Sequence, residues 1–157
     1  MNTQSPHEYF RLILLTVVGQ AFGAAGYALE DSPVKQAGGL FRFAKALDGG
    51  LYGFIEFQLL NYIDSQWSSG VPSRFRVNLI RSDQPSSTAP SRHSSYARRT
   101  LSALVVDDFG VEILPSSDHW WTFASTDQLG KALAEAGHLV VGYGMPWLSG
   151  DLVPPSA

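Results

Sequence analysis

The sequence predicts an α+β fold, a single domain with a mainly antiparallel sheet of about five or six strands and an N-terminal and a C-terminal helix packed on one face. Three observations carry that prediction. An uncharged stretch with helical spacing opens the chain, short apolar runs joined by turn residues fill its middle, and a second capped helix closes it. Short turns between successive runs favour an antiparallel meander, because parallel crossovers need about a dozen residues or more each. The 157 residues are enough for one hydrophobic core, and residues 1–148 are expected to form it as one domain.

Ser5, Pro6 and Glu8 make the first start signal: a capping hydroxyl, a proline at the first helical position and an acid three residues on. Phe10, Ile13, Leu14, Val17, Ala21 and Phe22 follow at helical spacing, and Gly23 and Gly26 permit a stop. Leu12 to Leu29 carries no charge and ends in small residues, so export is the alternative to a cytoplasmic location. The flanks argue for the cytoplasm, since Arg11 stands beside Glu8 and His7 and makes no positive leader. Gln20 and three glycines weaken the stretch as a membrane span, so no membrane partner is expected.

"DSPVKQAGG" (31–39) reads as a loop. "LFRFAKAL" and "LYGFIEFQLL" flank an Asp-Gly-Gly turn and read as a hairpin. "SRFRVNLI" (73–80) alternates, with Phe75, Val77 and Leu79 on one side and Arg74, Arg76 and Asn78 on the other, the pattern of a half-buried strand. The Ser/Pro-rich segment 82–95 has no periodicity and is expected to be a flexible loop within the domain. "LSALVV" and "VEIL" around "DDFG" read as another hairpin, and "HWWTFA" as a further strand. Ser125 and Gln128 form a second capping box, and Leu129, Leu133, Ala136, Val140 and Tyr143 share the face of the helix it opens. Gly144 is expected to end that helix, and 149–157 to be a disordered tail.

Taken in order, "GY" (26–27), "FRF", "FIEFQ", "RFRVNL", "WW", a capped helix and "YGMPWL" resemble an uncharacterised bacterial family known only as a domain of unknown function. Its pattern has F-x-R, an aromatic-Gln strand, F-x-V-N-L, a tryptophan strand and a terminal Pro-Trp. The resemblance spans roughly residues 8 to 148 and rests on short, mostly structural motifs. It implies a small α+β fold and no particular reaction.

Composition narrows the chemistry. There is no cysteine, which removes disulfides, thiolate zinc sites and cysteine nucleophiles. Net charge is −3, so the whole molecule does not attract nucleic acid. Six arginines cluster between 74 and 99 (Arg74, Arg76, Arg81, Arg92, Arg98 and Arg99), but an acidic stretch follows with Asp107, Asp108, Glu112 and Asp118. No docking motif accompanies the arginines, so nucleic acid is not an expected partner. His7, His93, His119 and His138 lack the spacing of a zinc site, so neither metal nor cofactor is expected. Adjacent Asp107 and Asp108 read as turn acids, and "DFG" stands without the other parts of a kinase. Ser116 or Ser117, Asp118 and His119 hold the letters of a catalytic triad, but neighbours along one segment cannot reach each other in line.

Strand alternation selects the candidate site. If Phe41, Phe43, Ile55, Phe57, Phe75, Val77 and Leu79 face the helices, the opposite face carries Arg42, Glu56, Gln58, Arg74, Arg76 and Asn78. Trp120 joins them if Trp121 and Phe123 belong to the core. The leading expectation is a non-enzymatic binding or interaction domain that uses this open polar face, with a protein or a small anionic or polar ligand as partner. The alternatives are a small enzyme or small-molecule-binding domain with an Arg/Glu-lined pocket, and an immunity-type protein that binds a toxin. A desolvated Glu56 in a deep pocket would favour the enzyme.

Overall fold

The computed structural model describes residues 5–60, 73–86 and 89–155. Among them, six strands form one sheet: β1 (Ala28–Leu29), β2 (Leu40–Ala46), β3 (Tyr52–Leu60), β4 (Ser73–Ser82), β5 (Ala97–Thr100) and β6 (Trp121–Phe123). All pairings are antiparallel in the order β1-β2-β3-β4-β5, and β6 lies alongside β4 beyond the end of β5. Helices from both ends of the chain cover one face, so the α+β architecture is as the pattern predicts.

The first helix begins at α1 (Pro6–Leu14), where the Ser5 hydroxyl accepts from the Glu8 amide at 3.3 Å. It runs through a π-turn (Leu15–Gly19) into α2 (Gln20–Ala24). Phe10, Leu14, Val18 and Phe22 are its buried residues, spaced four apart. In a plain α-helix that spacing drifts about 40° per step. The wider π-turn takes up the drift and keeps the row on the sheet. This corrects the expected face: Val18 joins it and Ala21 turns to solvent.

The hairpin β2–β3 forms about a 3₁₀ turn at Asp48–Gly50. Residues 31–39 are not wholly a loop, because Pro33–Ala37 form α3, entered at a proline suited to the first helical turn. The expected hairpin at 101–114 does not form: its second arm, residues 111–114, has no strand, and its first is a helix, α4 (Leu101–Ala103) continuing as a π-turn (Leu104–Asp108). Leu101, Leu104 and Val105 are its fully buried positions, at helical spacing, and the Thr100 hydroxyl caps it by accepting from the Ala103 amide. The missing strand is replaced by β5, "ARRT", which pairs Ala97–Thr100 with Asn78–Arg81. Its two arginines hide any apolar alternation.

The C-terminal helix starts at the Ser125 cap and comprises α5 (Thr126–Leu139), a π-turn (Val140–Gly144) and α6 (Met145–Ser149). Gly144 does not end it. It lies inside the helix, where a side chain would press on Leu79, and the stop falls at Gly150, whose φ of 85° is left-handed. Arg81 fastens that end, its Nη1 donating to the carbonyls of Trp147 at 3.1 Å and Leu148 at 3.4 Å.

Segment 83–95 has no regular structure among its described residues, and hydrogen bonds tie it down from Ser91 to Asp83 and from Arg81 to the Ser95 carbonyl. Ser87 and Thr88 of the expected flexible loop lie outside the described residues, as do Ser156 and Ala157 of the expected tail. No helix among the described residues is long and apolar enough to cross a membrane.

Candidate functional site

Strand register arranges the face opposite the helices in rows. Ala44, Phe54, Ile80 and Arg98 form one row, and Arg42, Glu56, Asn78 and Thr100 the next. Leu40, Gln58 and Arg76 form a third, and Leu60, Arg74 and Thr122 a fourth. One step beyond the β4–β6 pairing, Trp120 comes level with Arg76.

The expected open polar face is therefore two different surfaces. Phe54 and Ile80 are fully buried on it, and Arg42, Glu56 and Asn78 are only 6%, 2% and 5% exposed. Half the face is thus closed to solvent, and β3 and β4 carry apolar residues there, at even as well as odd positions. Arg42 Nε and Nη2 both lie 2.8 Å from Glu56 Oε2, and Nη1 lies 3.3 Å from Glu30 Oε1. The guanidinium also stands 5.6 Å from the Phe54 ring centre. Glu56 is desolvated, yet its charge is committed to Arg42. Glu30 had no place in the sequence pattern, since it precedes β2 and reaches Arg42 only because β1 turns back along that strand.

The other surface gathers Gln58, Arg74, Arg76 and Trp120. The Arg74 and Arg76 guanidinium carbons lie 4.5 and 4.8 Å from the Trp120 ring centre, within cation–π range. Arg76 Nε donates to Gln58 Oε1 at 2.9 Å, which leaves its two terminal nitrogens for another partner. Arg74 Nε is buried without a hydrogen-bond partner. Neither arginine has a carboxylate within ion-pair distance among the described residues. Two half-buried guanidiniums on one aromatic ring, without a carboxylate partner among the described residues, can receive a carboxylate or phosphate.

Trp121 faces the core. It is 4% exposed, stacks on Phe75 at 5.5 Å with 12° between the planes, and donates its indole N–H to Glu135 Oε1 at 3.1 Å. The His119 ring meets Trp121 edge-on at 4.7 Å. The serine, acid and histidine letters do not assemble: Ser116 Oγ accepts from the Asp118 amide, and the Ser102 hydroxyl accepts from the His119 backbone amide, not its ring. The remaining arginines of the basic run disperse, and Arg99 forms a two-pronged pair with Asp108 at 2.6 and 2.8 Å. No group of three or more metal-ligating side chains converges among the described residues.

Burial holds the His119 imidazole below its ordinary value of 6.5, against an opposing pull from Glu135. The folded chain therefore binds a proton less readily than the unfolded chain. Above pH 6.5 both states are neutral at this position and stability is full. As pH falls below that value the unfolded state protonates first, and stability declines until the folded pKa is passed. Urea melts between about pH 7.5 and about pH 5.0, the range over which an ordinary histidine titrates, are expected to show this decline, and His119→Gln to flatten it.

Comparison of the chain with protein-family models, with curated proteins and with solved structures finds no match.

Proposed function

We propose that this protein is a non-enzymatic binding domain that captures a carboxylate- or phosphate-bearing partner at the Arg74–Trp120–Arg76 cluster. The observation that carries the reading is the pair of arginines held against one indole with no carboxylate partner among the described residues. Arg42 and Arg99 are held by carboxylates and Arg81 by backbone carbonyls, whereas the terminal nitrogens of Arg74 and Arg76 have neither among the described residues. Binding is favoured over catalysis because the most desolvated carboxylate, Glu56, is tied to Arg42 and is not free to act as a base. The family resemblance implies no reaction and leaves this reading unchanged.

The test is a thermal-shift titration with inorganic phosphate and with succinate. Either anion is expected to raise the melting temperature of the wild type in a saturable, salt-sensitive way. The paired change Arg74→Ala and Arg76→Ala should abolish the rise while leaving the circular dichroism spectrum intact. A wild type that responds to neither anion, or a double variant that responds equally, would sink the proposal.

A further inference from the structure

A second constellation lies at the opposite end of β3 and β4 from Trp120. There a cleft of about 450 Å³ opens between the β2–β3 turn and the C-terminal turn. Register places Lys45, Gly53 and Arg81 in one row across β2, β3 and β4. A side chain at Gly53 would come within 2.7 Å of the Tyr27 hydroxyl, so that phenol packs over Gly53. Lys45 Nζ stands 5.6 Å from the Tyr27 ring centre. Burial pushes the phenol up to about 12, and, like an unshifted tyrosine, it carries no charge toward either cation at physiological pH.

Arg81 is fixed by neutral groups: Nε donates to the Ser95 carbonyl at 2.8 Å, and Nη1 to the last carbonyls of the C-terminal helix. Asp48 lines the cleft from the β2–β3 turn and Asp151 from the C-terminal turn. Neither acid pairs with either cation, since the ion pairs among the described residues are Arg42 with Glu30 and Glu56, and Arg99 with Asp108. Leu47, Leu51 and Leu148 supply an apolar wall. Opposite charges that line one cleft without closing on each other leave room for a ligand that carries both.

We propose that this cleft binds a free apolar α-amino acid, its carboxylate toward Arg81 and Lys45, its ammonium toward Asp48 and Asp151, and its side chain against the leucines. The site shares no residue with the Arg74–Trp120–Arg76 cluster, so either proposal can fail alone. Leucine titrated into the full chain, followed by ¹H–¹⁵N NMR, is expected to move the amides of Ser95, Leu148 and Gly150 in a saturable way. Isocaproate, which lacks the ammonium, and isoamylamine, which lacks the carboxylate, should each bind at least about tenfold more weakly, the loss of one charged contact. Lys45→Gln and Asp48→Asn alter half-buried and exposed side chains and should each weaken leucine by about tenfold with the rest of the spectrum unchanged. Arg74→Ala with Arg76→Ala should leave leucine binding as it is. The absence of saturable shifts at those amides, isocaproate binding as tightly as leucine, or unchanged affinity in Lys45→Gln or Asp48→Asn would overturn the proposal.

Discussion

Arg42→Met is expected to destabilise the fold by about 3–5 kcal/mol, the usual cost of leaving a buried charge without its partner. Glu56 is 2% exposed and receives two guanidinium nitrogens at 2.8 Å. It sits one row from Phe54 and Ile80, both fully buried, so water cannot take over the lost contacts. Glu30, more exposed, can turn to solvent when Arg42 is removed and adds little to the loss. The pair itself contributes much less than the single change costs, because its attraction mainly offsets the desolvation of both ions. Arg42→Met combined with Glu56→Leu should therefore recover most of the stability. Urea denaturation followed by circular dichroism checks both halves, and a single variant that loses under about 1 kcal/mol would mean that water reaches the pair.

The same pair marks where sequence reasoning stops. Alternation in "SRFRVNLI" and "FIEFQ" assigns the core face correctly, because Phe57, Phe75, Val77 and Leu79 recur with the period of a strand. What alternation cannot report is whether the other face is wet. Phe54 and Ile80 were the available signal: two large apolar residues on the polar side, level with each other across β3 and β4. Their burial separates Arg42, Glu56 and Asn78 from the cluster at Arg74 and Arg76.

The helix misread as a hairpin has a similar cause. "LSALVV" is β-branched enough for a strand, yet Leu101, Leu104 and Val105 also fit a helical face, and the Thr100 cap decides between them. Short apolar runs carry both periods, and tertiary burial selects one. The π-turns leave no mark in composition and show only as four-residue spacing, as in Phe10, Leu14, Val18 and Phe22. The cleft at Lys45 and Arg81 joins segments that are far apart in the chain, so no local pattern could disclose it.

Trp121→Ala is expected to cost about 3–5 kcal/mol, as for other large aromatic side chains removed from a core, whereas Trp120→Ala should cost about 1 kcal/mol or less. The two indoles are neighbours, but the strand sends them to opposite faces. Loss of Trp121 removes the stack on Phe75 and leaves Glu135 without its indole donor. Phase matters here too, because Phe75 also packs against Phe10, Phe57 and Phe123, so the cavity opens at the centre of the aromatic cluster. Loss of Trp120 removes only the platform that Arg74 and Arg76 share. That variant should fold, keep its cooperative urea transition and lose the stabilisation by phosphate or succinate. Stability and binding therefore separate at adjacent positions. A Trp120→Ala protein that unfolds would make the indole a structural part of the sheet, and the arginines would then be held for packing, not for a ligand. A Trp120→Ala protein that folds and still responds to both anions would place the anion elsewhere. Only the fold-neutral, binding-deficient result is consistent with two guanidiniums held in readiness on an aromatic ring.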